Sequence, residues 1–220
     1  MTNILLIQHQ GHLELPSTGE APGVLVLHAW WGLNPFFRDL CKRLAEQGFI
    51  AFAPDLYHGK VASSIDEATQ LRSKLKQKIA FDEILAAAEY LSGLDGVMKK
   101  TIGVIGFSLG ARFALELSVA KPEFVRAVVT FYGNCGLDYS PARAAYLGHF
   151  AETDEWVSAS GVKKLEKSLR TAGRPVTFHT YPGTGHWFFE SDRSDAYNAL
   201  ASQLAWERTV EFLKTQLENR

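Results

Sequence analysis

The amino-acid sequence predicts an α/β protein with a mostly parallel, doubly wound sheet and helices on both faces. Short apolar runs alternate with longer segments of helical periodicity along the chain, which is the pattern of repeated strand–helix–strand units. The apolar runs are continuous, as expected for strands that are covered on both faces. Because no linker-like segment interrupts the 220 residues, we expect a single domain over residues 1–220.

The first half of the chain begins with a predicted hairpin formed by residues 3–8 and 13–15 around Gly11. Residues 23–28 form the first buried strand. Residues 34–47 have helical spacing, with Asn34 placed as the cap, Pro35 at the first helical position and Gly48 after the end. The next strand covers residues 49–53, and two helices are predicted over 66–78 and 81–94.

The second half continues the alternation of strands and helices. Strands are predicted over 101–106, 125–131, 146–150 and 175–181, and helices over 109–119 and 160–171. The C-terminal stretch 194–217 is amphipathic. Its predicted buried face consists of Tyr197, Leu200, Leu204, Trp206, Val210, Leu213 and Leu217.

Composition excludes several classes of partner. Apolar residues make up 46% and the formal net charge is −1, so no strong field favours nucleic acid or an anionic membrane. No basic signal segment or bilayer-length apolar run is present. The two cysteines do not indicate a disulfide framework; for Cys135, plain packing is favoured over a reactive thiol. We expect a soluble cytoplasmic protein, either a monomer or a small homo-oligomer.

Ser108 stands between two glycines where a predicted strand ends and a helix begins. The segment reads Gly106-Phe107-Ser108-Leu109-Gly110. A direct turn from strand to helix strains the turning residue, and glycines on both sides remove side chains that would collide. This G-x-S-x-G elbow holds a serine hydroxyl out as a nucleophile. A glycine-bearing helix start without any chemistry is the alternative.

A serine nucleophile needs a base, which in this arrangement follows the acid in chain order. His186 lies in the glycine-rich segment 183–186 after the last predicted strand, again at a carboxyl end of the sheet. The other histidines either precede the serine or lie within predicted strands: His9, His12, His28, His58, His149 and His179. A satisfied loop histidine is the alternative interpretation of His186.

Asp154 is the candidate for the acid. It follows the predicted strand 146–150, and a carboxylate there would fix the tautomer that leaves the second histidine nitrogen free to take the serine proton. Glu152 and Glu155 are adjacent competitors, and Asp138 lies earlier in a long loop.

Two backbone amides are candidates to hold an oxyanion. The Leu109 N–H lies at the start of the helix after the elbow, and the Trp30 N–H lies in the loop after an early strand. Five aromatic residues are suggested for the pocket lining, although each is also consistent with core packing: Trp31, Phe36, Tyr57, Tyr132 and Trp187.

Several separated segments together resemble the dienelactone hydrolase family of α/β-hydrolases. They are VLHAWWGLNP at 26–35, RD at 38–39, APDLY at 53–57, GVIGFSLG at 103–110, GTGH at 183–186 and AWERT at 205–209. The resemblance extends from about residue 20 to the C-terminus. It implies an α/β-hydrolase fold and hydrolysis of an ester or lactone without a cofactor or metal, with the nucleophile at Ser108, the acid at Asp154 and the base at His186.

Three departures from the family pattern affect the expected substrate. The enzymes that give the family its name use cysteine where this chain has Ser108, and a glutamate where it has Ala29. They also hold an anionic substrate with arginines, one of them shortly after the catalytic histidine, where this chain offers Glu190. These differences imply a hydroxyl nucleophile and a neutral, fairly apolar ester.

The sequence therefore predicts a serine hydrolase that cleaves small carboxylic esters through an acyl-enzyme. A dienelactone or other lactone hydrolase that uses serine is the first alternative. A hydrolase fold that binds without catalysis is the second, and the complete, correctly ordered set of three residues argues against it.

Overall fold

The computed structural model describes residues 10–17 and 19–218. Within these ranges the chain forms seven strands and six helices. In chain order they are β1 (Gly11–Glu14), β2 (Ala21–Leu27), α1 (Pro35–Glu46), β3 (Ile50–Pro54), α2 (Ile65–Lys74), α3 (Gln77–Gly93), β4 (Val97–Phe107), α4 (Leu109–Ala120), β5 (Val125–Phe131), β6 (Ala145–Ala151), α5 (Ala159–Thr171), β7 (Val176–Tyr181) and α6 (Ala199–Leu217).

The strands form one sheet in the order β1-β3-β2-β4-β5-β6-β7. Strands β2 to β7 pair in parallel, and β1 at the edge pairs antiparallel with β3. The predicted mostly parallel sheet is confirmed. Residues 3–8 of the predicted hairpin lie outside the described residues. Strand β1 pairs with β3, and Gly11 lies opposite Pro54.

Helices cover both faces of the sheet, as predicted. Helices α1 and α6 pack on one face, against side chains such as Val26 and Ile105. Helices α3, α4 and α5 pack on the other face, against side chains such as Leu25 and Val104. Because successive side chains of a strand point to opposite faces, the continuous apolar runs supply both cores. This burial explains why these strands lack the polar alternation of a half-exposed sheet.

The helix boundaries follow from local capping. Asn34 Oδ1 accepts a hydrogen bond from the Phe37 N–H at 3.2 Å, and Pro35 opens α1, as predicted. The helix predicted over 66–78 ends earlier, at Lys74, because the backbone is extended at Leu75 and again at the N-cap of α3. No helix in residues 10–17 and 19–218 is long and apolar enough to cross a membrane.

The predicted buried face of the C-terminal helix is wrong for its first three residues, Tyr197, Leu200 and Leu204. Helix α6 begins at Ala199, where Asn198 Oδ1 caps the Ala201 N–H at 3.0 Å. This start places Leu200 outward, with 85% of its surface exposed, and Tyr197 and Leu204 are also exposed. The face that packs on the sheet consists of small residues at first and larger ones later: Ala201, Ser202, Ala205, Trp206, Thr209, Val210, Leu213 and Leu217.

Candidate active site

The candidate site lies at the carboxyl edge of the parallel strands. Ser108 directly follows β4, Asp154 follows β6 by three residues, and His186 follows β7 by five residues. Because β4 and β6 are both neighbours of β5, and β7 is the next strand after β6, these loops emerge side by side. In open parallel sheets this edge is where ligands bind.

The backbone at Ser108 has the sharp turn that the glycine spacing predicts. Its φ is +49° and its ψ is −106°, a conformation that costs a non-glycine residue conformational energy. A Cβ on Gly106 would overlap the Gly110 carbonyl, and a Cβ on Gly110 would overlap the Leu27 carbonyl. Both glycines are therefore required by close backbone contacts, and the turn holds the serine at the tip of β4.

Ser108, His186 and Asp154 form a continuous hydrogen-bonded chain. His186 Nε2 lies 3.0 Å from Ser108 Oγ, and His186 Nδ1 lies 2.8 Å from Asp154 Oδ2. Asp154 Oδ1 also accepts the backbone N–H groups of Trp156 and Val157 at 2.8 and 2.9 Å. Because an ionised carboxylate only accepts hydrogen bonds, Nδ1 carries the proton. Nε2 is then the acceptor for the serine hydroxyl.

The competing acids do not reach His186. Glu152 Oε2 accepts the Gly183 N–H at 2.9 Å. Asp138 accepts hydrogen bonds from the backbone and side chain of Ser140. The side chains of His186 and Asp154 are each 5% exposed, so this pair is shielded from water, whereas Glu155 is exposed. Of the acids weighed from the sequence, Asp154 is the one that the fold places against the histidine.

Two other buried histidines have structural partners. His28 Nδ1 donates to the Ala29 carbonyl at 2.6 Å, and its Nε2 accepts the Leu56 N–H at 3.2 Å. The bond to Leu56 ties the loop after β2 to the loop after β3. His149 is hydrogen-bonded to Tyr181 Oη at 2.8 Å and to Thr209 Oγ1 at 3.0 Å. Burial lowers the pKa of both imidazoles below the ordinary value, so both are neutral.

The Trp30 and Leu109 amides are available as donors. Among the hydrogen bonds of the described residues, neither N–H has an acceptor. Leu109 is the first residue of α4, where an amide has no partner inside the helix. Both residues line the same cavity as Ser108. Their arrangement is suited to receive negative charge that develops on a substrate oxygen.

The cavity beside Ser108 has a volume of about 170 Å³ and includes His186, Tyr132 and Trp187 in its lining. The suggestion of Tyr132 and Trp187 as lining residues therefore agrees with the geometry. The suggestions of Trp31, Phe36 and Tyr57 are wrong for this cavity. Trp31 and Phe36 pack in the core behind it, and Tyr57 lines a separate cavity with residues of α2 and α3.

Sequence reasoning missed several lining residues, among them Trp156, Arg72 and Arg112. Arg112 lies one helical turn after Ser108, so its spacing could have predicted that it faces the same cavity as the serine. Its guanidinium donates to Glu116 Oε1 at 2.9 Å. Arg72 lies on α2, which only the tertiary fold brings to the site. Within the described residues, its guanidinium has no hydrogen-bond or ion-pair partner.

Glu190 does not face the cavity, which corrects the inference drawn from its position after the histidine. It is fully buried, and its Oε1 accepts a hydrogen bond from Tyr132 Oη at 2.6 Å. Burial raises the pKa of Glu190 to about 8. The acid therefore gives no argument against an anionic substrate. Across residues 10–17 and 19–218, no cluster of three or more histidine, cysteine or acidic side chains could hold a metal ion.

Known proteins resemble this chain over nearly its whole length. The model of the dienelactone hydrolase family matches residues 10–217. The protein usf of Aquifex pyrophilus is 32% identical over 220 residues, which cover 96% of this chain and 95% of that protein. A protein of Aquifex aeolicus named "Putative carboxymethylenebutenolidase" is 32% identical over 222 residues, with the same coverage.

The fold has a close counterpart among solved structures. A dienelactone hydrolase-like promiscuous phosphotriesterase from metagenomic libraries superposes with a TM-score of 0.85 at 21% identity, over 94% of this chain and 92% of that one. At this identity the likeness concerns the fold alone. The family match over 10–217, together with the two relatives, shows that the chain belongs to the dienelactone hydrolase family.

Proposed function

We propose that this chain is a serine hydrolase that cleaves carboxylic esters through an acyl-enzyme on Ser108. The observation that carries the proposal is the hydrogen-bonded chain from Ser108 Oγ through His186 to Asp154, at 3.0 and 2.8 Å, on a strained elbow. A serine hydroxyl is a weak nucleophile alone, and this arrangement is the one that activates it.

In the first half of the reaction, Ser108 Oγ attacks the ester carbonyl carbon while His186 Nε2 takes the hydroxyl proton. Asp154 stabilises the resulting imidazolium and keeps it oriented. The carbonyl oxygen becomes an oxyanion, which the Trp30 and Leu109 amides hold. The tetrahedral intermediate then collapses: the bond to the alcohol oxygen breaks, and His186 returns the proton to the leaving alkoxide.

In the second half, water replaces the alcohol. His186 Nε2 takes a proton from the water as its oxygen attacks the acyl carbon, and the same amides hold the second oxyanion. Collapse releases the carboxylic acid and returns the proton to Ser108 Oγ. One ester and one water therefore give one acid and one alcohol, with no redox change and no cofactor consumed.

A lactone that carries an anionic group is a second candidate substrate. Arg72 and Arg112 line the cavity at Ser108, and the relative from Aquifex aeolicus is named for carboxymethylenebutenolidase activity. A lactone is a cyclic ester, so the chemical steps are the same. The unpartnered guanidinium of Arg72 supports this candidate, and the tryptophan rings of the same cavity support the neutral ester.

Steady-state hydrolysis of phenyl acetate tests the proposed function. We expect Asp154→Asn to lower kcat by about 10⁴-fold, because the histidine then adopts the wrong tautomer. Ser108→Ala and His186→Ala should lose comparable activity. Glu155→Gln is the matched control, since that neighbouring acid is exposed, and it should retain the rate. Full activity in His186→Ala would rule out the proposed base.

A parallel assay with an anionic lactone decides between the two substrates. If the lactone is preferred by orders of magnitude in kcat/KM, the lactonase candidate replaces the neutral ester. If phenyl acetate is preferred, the ester candidate stands.

A further inference from the structure

Trp187 carries the largest natural side chain in a backbone conformation that suits glycine. Its φ is +66°, in the left-handed region where an L side chain approaches the neighbouring carbonyl. Glycine reaches this region without strain. Trp187 directly follows His186, and strain of this kind persists mainly at sites of function. The presence of an indole here therefore requires an explanation beyond the turn itself.

The ring of Trp187 packs among the rings of the site. Its centroid lies 5.0 Å from that of His186 in an edge-to-face arrangement and 6.1 Å from that of Trp30 in a stacked one. Trp187 and Trp30 both line the cavity beside Ser108. Trp31 lies 5.2 Å from Trp187, but it is buried and does not line the cavity.

Trp156 completes this side of the cavity. Its ring lies edge-on to that of Trp30 at 4.9 Å, and 48% of its surface is exposed. Its backbone N–H donates to Asp154 Oδ1 at 2.8 Å, so its position is fixed relative to the site. A half-exposed indole beside buried ones gains free energy when an apolar ligand covers it.

We propose that Trp30, Trp156 and Trp187 form an indole wall that selects esters carrying one monocyclic aromatic ring, with Trp187 setting the preference. The inference rests on the proposed ester hydrolysis and names its substrate class. Aromatic rings attract one another in offset-stacked or edge-to-face pairs at centroid distances of about 4.5–7 Å, and the three indoles that line the cavity already pack with one another in both arrangements.

The volume of the cavity limits the size of the substrate. It measures about 170 Å³, and an apolar cavity of roughly 150 Å³ holds one benzene molecule in a protein interior. One monocyclic ring therefore matches the volume of the cavity beside Ser108. The expected substrates are esters of a monocyclic aromatic acid or alcohol.

The test compares benzyl acetate with cyclohexylmethyl acetate. Both esters release a primary alkoxide and have rings of similar size, so the ratio of their kcat/KM values isolates the contribution of the aromatic ring. The wild-type protein should prefer benzyl acetate by roughly three- to tenfold. Trp187→Leu replaces one L side chain by another at the left-handed position and removes the ring, so its ratio should fall to about one. Trp187→Phe should retain most of the preference.

Trp31→Phe is the matched control, because it changes an indole that contacts Trp187 from behind the cavity. Its ratio should stay within about twofold of the wild-type ratio. A wild-type ratio near one, or equal ratios in the Trp187→Leu and Trp187→Phe variants, overturns the inference while ester hydrolysis stands. Absence of hydrolysis of both acetates, and of phenyl acetate, rejects the proposed function itself.

Discussion

Glu190 should make the stability of this protein fall as the pH rises, and Glu190→Gln should remove that loss. The carboxyl group is fully buried. Its Oε1 accepts a hydrogen bond from Tyr132 Oη at 2.6 Å, and its Oε2 has no partner among the described residues. Burial raises its pKa to about 8, against the opposing effects of the Tyr132 hydrogen bond and of Arg193.

The sign follows from which state holds the proton. The unfolded chain releases the Glu190 proton near the ordinary pKa of 4.5, whereas the folded protein keeps it up to about pH 8. Between these values the folded state binds more protons, so the free energy of unfolding decreases as the pH rises. The slope is about 1.4 kcal/mol per pH unit. The total loss is at most on the order of 5 kcal/mol, complete above about pH 8.

Urea unfolding of the wild type and Glu190→Gln at pH 5, 7 and 9 measures this effect. Glutamine keeps an oxygen that can accept from Tyr132 Oη, and it does not titrate. We expect the variant to gain stability relative to the wild type with each increase in pH. Glu155→Gln is the control at an exposed acid, and its difference from the wild type should not change with pH. A constant difference between Glu190→Gln and the wild type from pH 5 to pH 9 would refute the reasoning.

Three further predictions concern other parts of the fold. Gly110→Ala should destabilise the protein by about 3 kcal/mol or more in urea unfolding, because the new Cβ overlaps the Leu27 carbonyl, whereas Gly136→Ala meets nothing within 4 Å and should be nearly neutral. Arg72→Ala should raise KM for an anionic ester by about tenfold and leave KM for its neutral counterpart unchanged in the same assay. Relative to His149→Gln, the wild type should lose stability as the pH falls below about 6.5, because burial lowers the pKa of His149 and only the unfolded chain takes up that proton. Thermal unfolding of the two proteins should show a difference that grows as the pH falls.

The sequence predicted much of the site because its chemistry is tied to strand ends. Ser108 and Asp154 each follow an apolar run that is buried in the sheet, and His186 follows the last strand. Parallel strands bring their carboxyl ends to one edge. The glycines on both sides of Ser108 indicate close backbone contacts, and in the structure a Cβ at either position would overlap a backbone carbonyl. For these three residues, the position in the sequence after a strand is enough to predict the position in the fold.

Residues whose position depends on how loops and helices pack could not be found in this way. Arg72 reaches the cavity because α2 lies near the Ser108 edge of the sheet, and no periodicity encodes that placement. Glu190 follows the histidine closely, yet the turn after β7 directs it into the core against Tyr132. Leu200 matched an apolar stripe, but the cap at Asn198 fixed a helix register in which small residues face the sheet.

Labelling with a fluorophosphonate tests the central claim most directly, because this reagent forms a stable bond with an activated serine. Mass spectrometry of the digested protein should find one adduct per chain, on the peptide that contains Ser108. The adduct should be absent in Ser108→Ala. It should also be absent when the wild type is denatured before the reagent is added. An unlabelled native protein, or an adduct that persists in Ser108→Ala, would contradict the assignment and favour a hydrolase fold that binds without catalysis.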